Sequence, residues 1–119
     1  MKKNLEQIRA ANALKAAEQK IAGLNGGEVI KKIPPLIMNH GLLAVGACAF
    51  DEKTGYKGVI NAIAIHLSHP DIDLVPGDCD NTDKLMRYLS EKADSAKLRL
   101  CTAEAMAWLE YARRFIKKD

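Results

Sequence analysis

Residues 94–118 read DSAKLRLCTAEAMAWLEYARRFIKK, and in them Leu98, Cys101, Ala105, Trp108, Leu109, Ala112, Phe115 and Ile116 fall in one band at about 100° per residue. Alternation with a period of two is missing, so the stretch predicts a helix with one packing side. Arg99, Glu110, Arg113 and Lys117 lie roughly opposite, which sets the basic side apart from the packing side. Asp94 or Ser95 can cap its start, because either side chain accepts from the orphan N–H groups of a first turn. One amphipathic helix cannot cover its own apolar band, so the rest of the chain must supply partners.

Working back from this helix, Leu85, Met86 and Leu89 predict a short helix capped by Thr82 or Asp83. The segment HPDIDLVPGDCDNTD (69–83) holds two prolines and five aspartates and reads as a long connection, the least organised part of the chain. Ile60, Ile63, Ala64 and Leu67 keep helical spacing as far as Ser68, after a loop at Asp51-Glu52-Lys53-Thr54-Gly55. Leu36 to Phe50 is nearly all apolar, punctuated by Asn39-His40-Gly41 and Gly46, and predicts a buried helix pair. Glu28 to Ile33 is helical in pattern, with a break or a fresh helix start expected at Pro34-Pro35, where two backbone donors are missing. Asn4 with Gln7 three residues later is a capping box that opens a long first helix. That helix is expected to run to Leu24, packing through Ala10, Leu14, Ala17, Ile21 and Leu24, with Leu5 and Ile8 off the stripe and Asn25-Gly26-Gly27 ending it. These elements predict an all-α fold, a compact single-domain bundle of about five to seven helices over residues 1–119.

A chain of 119 residues, 48% apolar and 28% charged, has the makings of one core and excludes disorder and a collagen-like repeat. Aromatic residues are 5% of the total, with Trp108 the sole tryptophan, too few for a base-stacking platform. The net charge of +3 is unevenly spread: residues 1–53 carry eight basic and five acidic side chains, 54–83 one and five, and 84–119 nine and five. Two basic ends around an acidic middle can form a positive surface that attracts phosphate or an acidic protein, or a plain solvated helix surface. Cys48, Cys79 and Cys101 are odd in number and far apart, which argues against a disulfide frame or a zinc ribbon. The polar residues after Met-Lys-Lys do not form a secretory signal, and Gly41 to Phe50 falls well short of the ~20 apolar residues of a membrane span. A cytoplasmic location is expected.

The residue types that carry chemistry do not assemble into a catalytic set. His66 and His69 near Asp71, Asp73 and Cys79 are ligand types zinc accepts, and a small metal-dependent hydrolase is one reading; yet Pro70 puts His69 at a helix end, so a helix terminus entering a polar loop is the plainer one. Cys48 and Cys101, with His40 as a base, are poor nucleophiles among apolar neighbours and are expected in the core. Glu104 and Glu110, six residues apart, point to different sides of their helix. No metal, cofactor or catalytic residue is expected, and the positive evidence is for binding.

Three stretches, NLEQIRAANAL (4–14), IPPLIMNHGLLAVGACAF (33–50) and LRLCTAEAMAWLEYARRFIKK (98–118), resemble the small helical subunit of the Cmr complex, the type III-B CRISPR RNA-guided effector. The features shared with that family are Arg9-Ala10, Pro35 followed by Asn39, Gly41 and Leu42, and Thr102-Ala103-Glu104-Ala105 followed by Arg113-Arg114-Phe115; the departures are His40, inserted between Asn39 and Gly41, Leu98 in place of an aromatic, and Ala112 in place of a larger apolar residue. Both ends and the centre are covered, and residues 66–83 stand outside the resemblance. It implies a non-catalytic subunit that stacks with copies of itself in an inner filament, contacts other Cmr subunits, and helps hold target RNA along the guide RNA. On that reading the phosphate contacts are expected at Arg9, Lys31, Lys32, Arg99, Arg113, Arg114 and Lys117, while Arg113 and Arg114 can equally brace Glu104, Glu110 or a neighbouring copy. The alternative is a helical protein–protein adaptor without nucleic-acid contact. No membrane partner is expected.

Overall fold

Six α-helices and no strand occur among residues 3–18 and 27–116, the parts of the chain that the structure, a computed structural model, describes. In chain order they are α1 (Leu5–Glu18), α2 (Gly27–His40), α3 (Leu42–Cys48), α4 (Lys57–Ser68), α5 (Thr82–Glu91) and α6 (Ser95–Phe115), with one 3-10 turn at Glu52–Thr54. The expected all-α bundle is what forms. At 21 residues α6 is about 30 Å long, and it packs against α1, α2, α3 and α4, while α5 closes over α3 and α4. Its buried side is the one the sequence marks: Cys101, Ala105, Trp108, Leu109 and Ala112 are covered, each large side chain worth roughly 1.5–3 kcal/mol. Asp94 caps it, accepting from Lys97 N at 2.8 Å.

The capping box at the front of α1 closes as expected: Asn4 Oδ1 accepts from Gln7 N at 2.8 Å and Gln7 Oε1 accepts from Asn4 N at 2.9 Å. The packing stripe differs from expectation. Ala13 and Ala16 are the buried residues of α1, and Leu14 is half exposed. Small alanines let α1 approach α6 closely, which a leucine at the contact would prevent. Ile21, Leu24 and Asn25-Gly26, the expected end of the first helix, lie outside the described residues.

No break occurs at Pro34-Pro35, and α2 runs through both prolines. Each proline removes one backbone bond at a cost of about 3 kcal/mol. Burial of Ile30, Ile33 and Ile37 at roughly 1.5–3 kcal/mol each offsets that, because only a continuous helix lays all three into the core. The turn into α3 falls on Gly41, whose φ of 87° and ψ of 160° suit glycine alone. The buried pair foreseen over 36–50 is thus the end of α2 followed by α3.

Two further expectations shift. The connection 69–81 is held in place: Leu74 N and Val75 N both donate to Leu67 O at 3.1 and 3.3 Å, and Val75 and Cys79 are buried. Asn81, not Thr82 or Asp83, caps α5 by accepting from Lys84 N at 2.9 Å. Thr82 is instead buried against α4, donating to Asn61 Oδ1 from its backbone N–H at 2.7 Å and its hydroxyl at 2.6 Å.

Candidate nucleic-acid interface

The sequence-predicted cations separate into two environments. On α6, Arg99, Arg113 and Arg114 are exposed, as are Lys31 and Lys32 on α2, the helix packed beside it. Arg113 Nη2 lies 3.2 Å from Glu110 Oε2 in a solvent-facing pair of little energetic weight. Lys31, Lys32, Arg99 and Arg114 are exposed and make no ion pair among the described residues. Lys117 lies outside the described residues.

Arg9 has gone the other way. Its Nε and one Nη each donate at 2.7 Å to the two carboxylate oxygens of Glu104, a bidentate clamp between α1 and α6. Arg9, not Arg113 or Arg114, therefore braces Glu104. Tyr111 OH donates to Glu6 Oε1 at 2.8 Å, so the two contacts run in opposite order along the helices and α1 lies antiparallel to α6.

Glu104 is buried because it sits three residues after Cys101 and four before Trp108, inside the apolar band of α6. A carboxylate there needs partners, which is the signal sequence reasoning left unused. Besides Arg9 it meets His66 Nε2 at 3.0 Å from α4, and His66 Nδ1 lies 3.0 Å from Asn12 Nδ2 on α1. The His66 ring stacks on Trp108, centroids 5.4 Å apart. The indole Nε1 of Trp108 is buried without a partner among the described residues.

Burial pushes the His66 imidazole below its ordinary range, against the pull of Glu104, so the ring is neutral. Burial alone raises the Glu104 carboxyl, but the hydrogen bonds from Arg9 and His66 and their charges outweigh it and hold the group ionised. A carboxylate can only accept, which makes Nε2 the protonated nitrogen of His66 and leaves Nδ1 to accept from the Asn12 amide. The bonds therefore run one way, from Arg9 and His66 into Glu104, and from Asn12 into His66.

The histidine pair does not converge on a shared site. His66 is spent on Glu104 and Asn12, while His69 Nδ1 accepts from Asp71 N at 3.1 Å. Helix α4 ends at Ser68 with His69 as its C-cap, so the pair straddles a helix end as expected, while His66 itself is buried in the core. Cys101 is buried as foreseen, whereas Cys48 is exposed at the end of α3, where it faces away from the core. Glu104 and Glu110 do lie on different sides, one buried and one exposed. No described helix is long and apolar enough to cross a membrane.

Six helices around one core, with an ion-paired carboxylate inside and basic side chains outside, define a small all-α bundle protein. A family model described as CRISPR-associated protein (Cas_Cmr5) matches residues 5–118, and the chain belongs to that family. The match includes residues 66–83, which the three resembling stretches had left out. No curated protein and no solved structure matches the chain.

Proposed function

We propose that residues 1–119, a single helical domain, are a non-catalytic small subunit of the Cmr effector, stacking with copies of itself in an inner filament and helping to hold target RNA along the guide. Membership of the family makes the chain a CRISPR-associated Cmr subunit, so its neighbours are other Cmr subunits. The observation that carries RNA holding is the exposed cation set Lys31, Lys32, Arg99 and Arg114, opposite or beside packing faces and unpaired among the described residues. Arg113 joins it, its exposed pair with Glu110 being weak enough to exchange for phosphate. Lys117 stays in the set by its place in the sequence, and Arg9 leaves it. Backbone phosphates are the ligand, because pairing with the guide already reads the bases. No cofactor is needed for this role, and its place is the cytoplasm.

The test is the affinity of the full chain, alone and in the assembled complex, for single-stranded RNA over a salt series. Each neutralised phosphate contributes about 0.7 to the slope of log affinity against log salt, so Lys31→Gln with Lys32→Gln should lower the slope by roughly 1.4. Salt-independent binding, with target-strand crosslinking unchanged by Arg113→Glu and Arg114→Glu in the complex, would leave only the protein–protein adaptor.

A further inference from the structure

A cleft of about 510 Å³ opens between the α2–α3 turn and the first half of α6. Leu42, Leu43, Leu98 and Ala103 give it an apolar lining, and the hydroxyl of Thr102 is already turned to Leu98 O at 2.9 Å. His40 and Arg99, both exposed, are the polar groups on its wall, and no acidic side chain lines it. Arg99 makes no ion pair among the described residues. An apolar slot beside an uncompensated guanidinium matches an apolar side chain that stands next to a carboxylate.

The chain presents that combination elsewhere on its own surface. After α4, His69 O accepts from Ile72 N at 2.9 Å and from Asp73 N at 2.8 Å, which folds residues 69–73 into a tight turn with Asp73 left-handed at a φ of 51°. Asp71 and Asp73 are exposed, and Ile72 between them is partly exposed and stands apart from the core cluster that takes in Leu74 and Val75. Asp73 has no ion pair among the described residues, and the segment 69–83 contains five aspartates and no lysine or arginine. The turn is tied down, because Leu67 O receives the N–H groups of Leu74 and Val75 just beyond it, and none of its residues lines the cleft. A chain therefore cannot seat its own turn in its own cleft, whereas the turn of another copy meets no such tether.

We propose that the cleft receives the 71–73 turn of a second copy of this chain, Ile72 entering the apolar slot and Asp71 or Asp73 pairing with Arg99. The inference rests on the stacking reading above and names the two surfaces that meet. Because these surfaces differ, each added copy keeps one of them free, so the contact is heterologous and repeats along a row. Arg99 is then engaged by a carboxylate, and Lys31, Lys32 and Arg114 are left to phosphate. One turn in one slot buries less than the roughly 1,200 Å² of a stable interface, so the contact is weak in free solution and gains strength where neighbouring subunits line the copies up.

Sedimentation equilibrium of the full chain, up to millimolar concentration at low salt, tests it. The average mass should climb past the dimer without levelling there, and added salt should lower it. Arg99→Glu, and separately Asp71→Lys with Asp73→Lys, should each weaken association at least about 10-fold, as like charges brought together do. The chain carrying all three changes should regain it, its signs exchanged. Ile72→Ser should weaken association and leave the melting temperature unmoved, since Ile72 lies outside the core. A wild-type chain that stays monomeric, a mass that stops at the dimer, association that Arg99→Glu or Ile72→Ser leaves unchanged, or no recovery in the combined variant overturns the proposal. The number of copies in the assembled complex, counted by native mass spectrometry, tests stacking by itself. A single copy ends that reading, whereas several copies retained with Arg99→Glu end only this contact.

Discussion

Replacing Glu104 by glutamine removes one charge and changes almost nothing in shape, which makes it the sharpest probe of the interior. The wild-type carboxylate accepts two bonds from Arg9 at 2.7 Å and one from His66 at 3.0 Å. Glutamine offers one oxygen in place of two, and its amide meets a donor. The guanidinium, with its side chain 23% exposed, keeps some water but loses its counter-charge. A charge-assisted bond is worth about 1.5–3 kcal/mol, and partial solvation of Arg9 discounts the loss, so Glu104→Gln should cost about 2–3 kcal/mol in all. For a chain of 119 residues that lowers the melting temperature by roughly 8–12 °C, readable by circular dichroism at neutral pH. A double-mutant cycle with Arg9→Met separates the pair from general damage, with an expected coupling of about 1–2 kcal/mol. A melting temperature within about 2 °C of wild type, or a coupling under about 0.5 kcal/mol, would show that the clamp is not what fastens α1.

Acid should destabilise the fold in two stages. The unfolded chain takes up a proton at His66 below its ordinary 6.5 while the buried ring does not, and below 4.5 the unfolded Glu104 protonates before the folded one; in both windows the unfolded state binds more protons, so stability falls as pH falls. A urea midpoint at about pH 5 equal to or above the neutral one would contradict this. Gly41→Ala should cost about 1–3 kcal/mol for its backbone alone, since no atom stands in the way of a side chain there. Gly46→Ala should cost less than about 1 kcal/mol, because the new methyl meets only the flexible end of Met86 and alanine favours the helix; equal losses at the two glycines in chemical denaturation would refute the distinction. Of the three thiols, Cys48 alone should react quickly with a thiol reagent in the native protein, burial shielding Cys79 and Cys101 and raising their pKa; rapid modification of Cys101 without unfolding would be the contrary result.

Local rules carried most of the fold. The Asn4–Gln7 box, the Asp94 cap and the apolar band of α6 depend on residues three or four apart, and each formed as read. Sequence reasoning went astray where distant partners decide. Propensity alone breaks α2 at Pro34, but the core it must fill keeps it whole. The 69–81 connection is rich in turn residues, yet Leu67 O gathers two of its N–H groups and Val75 and Cys79 turn inward. The outward cations of α2 and α6 follow from helical spacing, whereas the fate of Arg9 depends on Glu104, ninety-five positions away. Period counts see apolar residues and pass over a buried carboxylate whose partners come from two other helices.

The stack of His66 on Trp108 has an optical consequence. With one indole in the chain, stacked on a buried imidazole, the protein carries its own luminescent gauge of the interior. Occupancy of the outer lysines and arginines leaves that glow unaltered. Displacement of α1, which frees His66 from Asn12 and Arg9 from Glu104, dims or shifts it. Events on the rim and events at the centre can thus be told apart in a single cuvette.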